Sequence, residues 1–91
     1  MNTLFIIGNA NSETAFRIAK KLHLDAENVS ILFTRRGLNH ILHTETVCSL
    51  DFAELYTFET EFNSTNTKVN AIGYDRFIDI LETSERTFTW F

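Results

Sequence analysis

Leu4-Phe5-Ile6-Ile7-Gly8-Asn9-Ala10-Asn11-Ser12 is the stretch that decides the fold. Its first four residues are apolar without a break. A strand with one wet face alternates apolar and polar positions, so an unbroken run reads as a strand covered on both faces. The polar stretch after it reads as a turn closing on Ser12 as a helix N-cap. Ala15, Phe16, Ile18, Ala19 and Leu22 then recur at helical spacing. Lys20, Lys21 and His23 fall in the last turn, where the helix dipole favours positive charge.

The same alternation continues downstream. Val29–Phe33 is a second buried-strand run, broken by Thr34-Arg35-Arg36-Gly37, and Leu38, Ile41 and Leu42 form a short helical stripe. Thr44–Asp51 reads as a polar connection with Val47 and Leu50 turned inward. Phe52–Phe58 reads as a third strand, with Tyr56 and Phe58 on one side and Leu55 on the other. Glu59–Thr67 is rich in Asn and Thr and reads as a loop, and Lys68–Ile72 as a fourth strand. Tyr74, Phe77, Ile78 and Leu81 give the clearest helical spacing, with Gly73 or Asp75 as the cap, and Thr87–Phe91 is a fifth strand. Strands alternating with helices predict a three-layer α/β/α domain over residues 1–91 with a mainly parallel five-stranded sheet. One joint resists that reading. Nine residues separate Phe58 from Lys68, and a parallel crossover usually takes about a dozen or more. A hairpin or a very tight crossover is expected there.

Composition bounds the function. The chain has 91 residues, enough for one modest core. Hydrophobic residues make up 44%, which excludes a disordered chain. Eight Lys and Arg against 12 Asp and Glu give a net charge of −4, so general nucleic-acid binding is not expected. A single cysteine, Cys48, excludes an internal disulfide and fits a reducing, cytoplasmic compartment. The N-terminal apolar run lacks the basic lead-in of a signal peptide, and no stretch approaches the ~20 apolar residues of a membrane helix.

Ala71-Ile72-Gly73-Tyr74-Asp75-Arg76-Phe77-Ile78-Asp79-Ile80-Leu81-Glu82, followed by Thr89-Trp90-Phe91, resembles the C-terminal end of the TusB/DsrH family. These are small subunits of the DsrE/DsrF/DsrH-like sulfur-relay group. Val29–Leu42 and Ala53–Phe58 are similar to the family in outline. The resemblance implies a cytoplasmic α/β subunit that pairs with TusC/DsrF-like and TusD/DsrE-like chains. It implies a role in passing persulfide sulfur toward 2-thiouridine at the tRNA wobble position, or in sulfur oxidation. It further implies that the clearest sulfur-carrying cysteine belongs to the DsrE/TusD-like partner, so this chain would be non-catalytic on its own. The sequence departs from the family at several points. No Cys stands in Glu59–Asn66, Ala15 and Phe16 occupy the first-helix region where DsrH-like chains can carry one, and Arg35-Arg36 replaces an acidic pair. These departures bear on carrier chemistry more than on fold.

Four groups of residues carry candidate chemistry. Cys48 is the only possible persulfide carrier. Its neighbours Val47, Glu45 and Asp51 argue for a small buried hydrophobe over an anionic sulfur. His40 and His43 share a helix face near Cys48, but the paired-cysteine spacings of a structural zinc site are missing, and neither metal nor cofactor is expected. Asn9, Asn11 and Ser12 follow the first strand, and Arg35 and Arg36 leave the second at the same edge of a parallel sheet. That edge is where open α/β sheets bind ligands, so these five residues are the candidate anion or partner-docking set. Phe88, Trp90 and Phe91 end the chain, completing the core or, with Phe52 or Phe62, forming a subunit interface. Twelve aromatics are many for one small domain to hide, which favours an interface, including the possibility of a homo-oligomer. Asp75 and Asp79 read as a capping residue and a surface acid. Two further functions fit the residues: a sulfur carrier using Cys48, and a stand-alone module binding a small anion or nucleotide at Asn9–Ser12.

Overall fold

The computed structural model describes residues 2–61 and 68–90. Phe62, Phe91 and most of the expected Glu59–Thr67 loop lie outside the described residues. In chain order the elements are β1 (Asn2–Ile7), α1 (Glu13–Leu24), β2 (Asn28–Phe33), a 3-10 turn (Arg35–His40), α2 (Thr44–Ser49), β3 (Glu54–Phe58), β4 (Val69–Ile72), α3 (Tyr74–Thr83) and β5 (Arg86–Trp90). The strands form one sheet in the order β4-β3-β2-β1-β5, and every neighbouring pair is parallel.

That order explains where the helices go. The steps β1 to β2 to β3 to β4 all run the same way across the sheet. Right-handed crossovers then put α1 and α2 on one face, and the reversed step from β4 to β5 puts α3 on the other. The core divides accordingly. Phe5, Ile7, Val29, Ile31, Phe33, Leu55 and Val69 meet Ala15 and Ala19 of α1 and Val47 of α2. Leu4, Leu32, Tyr56, Phe58 and Ile72 meet Ile80 of α3, with Phe77 and Leu81 packed against them. The apolar runs Leu4–Ile7 of β1 and Ile31–Phe33 of β2 are therefore covered on both sides.

The β3–β4 joint is a tight parallel crossover and not a hairpin: Leu55 pairs with Val69 and Phe58 with Ile72. Parallel pairing starts α3 at the carboxyl edge and lets it return to the amino edge. There Asn2 Nδ2 donates to Thr83 O at 3.2 Å, and Glu85 N donates to Asn2 O at 2.8 Å, feeding β5 alongside β1. The Thr44–Asp51 stretch is not an irregular connection but contains the six-residue α2. Val47 and Leu50, three apart, are driven into the core at 1% and 2% exposure, and a helical turn is what aligns them. In the stripe after β2, Ile41 is buried but Leu42 is exposed. Gly73 occupies the N-cap position of α3, while Tyr74 and Ile78 of its apolar stripe face outward.

Candidate functional site at the carboxyl edge

β1 ends in a short polar turn whose groups satisfy one another. Asn11 N donates to Asn9 Oδ1 at 2.8 Å, forming an Asx turn. Ser12 holds the N-cap position of α1, yet its hydroxyl does not cap. It turns back and donates to Asn9 O at 2.6 Å, satisfying a main-chain acceptor of the bend. Ser12 is fully buried. The same carbonyl lies 3.0 Å from His40 Nε2. A carbonyl can only accept, so Nε2 carries the proton and Nδ1 is left as an acceptor when the ring is neutral.

The next strand end is stitched to the first. Thr34 N donates to Ile7 O and Gly37 N to Thr34 O, both at 2.9 Å. This forms the 3-10 turn that carries Arg35, Arg36 and His40. Arg35 has a left-handed backbone, φ 53°. Its amide N–H donates to Glu61 Oε2 at 3.2 Å, and the Thr34 hydroxyl donates to Glu61 Oε1 at 2.5 Å. The chain's own carboxylate therefore sits on the donors that an external anion would use. Arg36 is exposed.

His40 is held between aromatic rings, 4.9 Å from Phe16 and 6.0 Å from Phe33 by ring centroids. Burial among them lowers its pKa, the bond to Asn9 opposes that, and nearby His43 adds to it. Beside it lies an open cavity of about 610 Å³, lined by Asn11, Thr14, Phe16, His40, Thr46 and Ser49 among others. The residues predicted for anion docking thus fall into two groups. Asn9, Asn11 and Ser12 form one turn with His40, and Arg35 stands beside Glu61. The sequence reading missed both His40 as a member of this edge and Glu61 as its carboxylate.

The lowered pKa of His40 has a stability consequence. The folded chain holds the ring neutral where the unfolded chain, near ~6.5, begins to protonate it. Below that value the unfolded state binds more protons, so stability rises with pH across the window just under it and is lost as the pH falls. Thermal melts between pH 5 and 8 should show this slope, and His40→Gln should flatten it. An unchanged slope in the variant would place the titration elsewhere.

Cys48 is exposed, and not the buried hydrophobe that its apolar neighbour implied. On α2, residues 47 and 50 face inward, which turns residue 48 out. The Lys68 ammonium stands 3.6 Å from its sulfur. Phe88 is half-exposed and stacks on Phe5 at 5.1 Å, while Trp90 packs against the α1-side core. A second open cleft, about 510 Å³, lies at the amino edge. There the Tyr56 hydroxyl donates to the Glu54 carboxylate, and burial followed by that carboxylate raises the Tyr56 pKa. Among the described residues, no three His, Cys, Asp or Glu side chains converge where a metal ion could sit. Among them too, no helix is long and apolar enough to cross a membrane. Compared with family models the chain matches none, and the comparison with curated proteins gives no match.

Proposed function

We propose that this chain is a non-catalytic, architectural subunit of a cytoplasmic sulfur-relay assembly, handling persulfide sulfur for wobble-uridine 2-thiolation or sulfur oxidation. The observation that carries the reading is the placement of the segment resembling the TusB/DsrH end. Gly73 starts α3 at the carboxyl edge, and α3 delivers the Trp-containing β5 to an edge position beside β1. An edge strand with a half-exposed Phe88 is a natural place for another subunit to pack. The mechanism is positional: the subunit completes a hetero-oligomer and shapes the path along which a partner's persulfide reaches its acceptor. Arg35 and Arg36 at the carboxyl edge supply the basic part of the docking surface. The test is capture of the tagged protein from its own host under reducing conditions. Two small α/β partners, one with a cysteine that carries persulfide, are the expected result. Recovery of the chain alone, or only as a homo-oligomer, would overturn the reading.

A second reading is favoured by the exposure of Cys48 and its 3.6 Å contact with Lys68. Thiolates are nucleophilic where a cation stands near and solvent has access. In a carrier role the Cys48 thiolate attacks the outer sulfur of a partner's persulfide. The new S–S bond forms on Cys48, the old one breaks, and the partner leaves as a thiolate. A thiol reagent should modify Cys48 in the folded protein at a rate close to that of the unfolded chain. Cys48→Ser should change stability by less than ~0.5 kcal/mol, as for an exposed position. The carrier reading then depends on transfer: Cys48→Ser must abolish it, and normal transfer by that variant would end the idea.

A further inference from the structure

The apolar arc of α3 is wider than the part the sheet covers. Phe77, Ile80 and Leu81 pack inward. Tyr74 and Ile78, one turn apart on the flank, are 62% and 50% exposed. Tyr74 is not a loose surface ring: it lies on Phe58 with 4.9 Å between centroids. A rigid aromatic beside a branched aliphatic is the kind of anchor that interfaces use. The next stripe around the helix is acidic. Asp75, Asp79 and Glu82 follow at helical spacing and all three are exposed. Among the described residues none of the three carboxylates is ion-paired.

We infer that this flank of α3 is a docking surface for an amphipathic helix of another chain, one that carries an apolar stripe bordered by Lys or Arg. The apolar stripe gives contact area, and the acidic stripe selects a basic partner and steers its approach. A second copy of this chain does not fit. It carries the same acidic stripe and the same net charge of −4, so it brings like charge and not the basic border that the stripe selects. The inference stands apart from the sulfur-relay reading, since any basic helical partner satisfies it.

The probe is a fluorescent designed helical peptide with leucines along one face and lysines beside them. Its twin has glutamates in the lysine positions. Anisotropy with the full chain should show binding of the lysine peptide only, weakening as salt is raised. Ile78→Asp, at an exposed position that should leave folding intact, should weaken it by about tenfold or more. Reversing Asp75, Asp79 and Glu82 to lysine should exchange the preference, so that the glutamate peptide binds. Binding of neither peptide, equal binding of both, or indifference to these variants overturns the inference. So does dimerisation of the chain that Ile78→Asp abolishes, which would make a second copy the occupant. Each outcome is independent of what capture from the host recovers.

Discussion

Gly37→Ala is expected to lower the melting temperature by roughly 12 °C or more, from a loss of ~3 kcal/mol at ~4–8 °C per kcal/mol for a domain of this size. A Cβ on Gly37 would lie 2.0 Å from Ile7 O and 2.7 Å from Ile7 C. Favourable carbon contacts begin near ~3.5 Å, so one backbone would have to move. Neither is free to do so. Ile7 O is already bonded to Thr34 N at 2.9 Å, and the adjoining Gly8 N is bonded to Trp90 O at 2.8 Å. On the other side, Gly37 N is fixed to Thr34 O. Only a residue without a side chain allows the 3-10 turn to approach the end of β1 this closely. The same turn carries Arg35, Arg36 and His40, so the variant should also loosen the carboxyl edge. Gly73→Ala is the internal control. Its Cβ would meet Glu59 Oε1 at 3.3 Å, the far end of a flexible side chain. A change within about 0.5 kcal/mol is expected there. If the two variants melt alike, the close approach of the turn to β1 is wrong.

Gly37 also shows where local reading stops. As a break after an apolar run it is visible in sequence, but its contact with Ile7 depends on β1 and β2 lying side by side. Buried strands announce themselves, because Leu4–Ile7 has no polar position to place in water and Val29–Phe33 has only Ser30, near its amino end. Helix α1 does so through Ala15 and Ala19. The six-residue α2 does not, since Thr44–Ser49 offers Val47 as its only buried residue and is too short to display a period. Missing α2 also hid the outward turn of Cys48. The contact of Cys48 with Lys68 spans 20 positions, and the grip of Glu61 on Thr34 and Arg35 spans 27 and 26. Neither leaves a local pattern. Ser12 was legible as a helix start, but the choice between capping α1 and satisfying Asn9 O belongs to the folded turn. In the β3–β4 joint, loop length left a hairpin and a very tight crossover both open, and tertiary pairing chose the crossover.

Phe33→Ala should cost ~3–5 kcal/mol, the range for removing a buried phenylalanine and leaving its space unfilled. Domains of this kind are held by only ~5–15 kcal/mol, so the loss takes a large fraction of the total. Phe33 is fully buried and ends a central strand, where β2 is paired on both sides and the surroundings cannot collapse into the gap. Its ring also supports the carboxyl edge, meeting Phe16 of α1 at 6.3 Å and His40 at 6.0 Å. Removing it should therefore do two things together. The melting temperature should fall by roughly 12 °C or more, at ~4–8 °C per kcal/mol. The ring of His40 should gain solvent, and the pH dependence of stability assigned to it should weaken, since desolvation is the main cause of its lowered pKa. Phe88→Ala separates these effects. Phe88 is 38% exposed on an edge strand, so its loss leaves less of a cavity and leaves His40 alone. Stability should fall by less than in Phe33→Ala, with the pH slope intact. A Phe33 variant that melts within a few degrees of the parent, or keeps the full pH slope, would mean that the ring does not link the core to this edge.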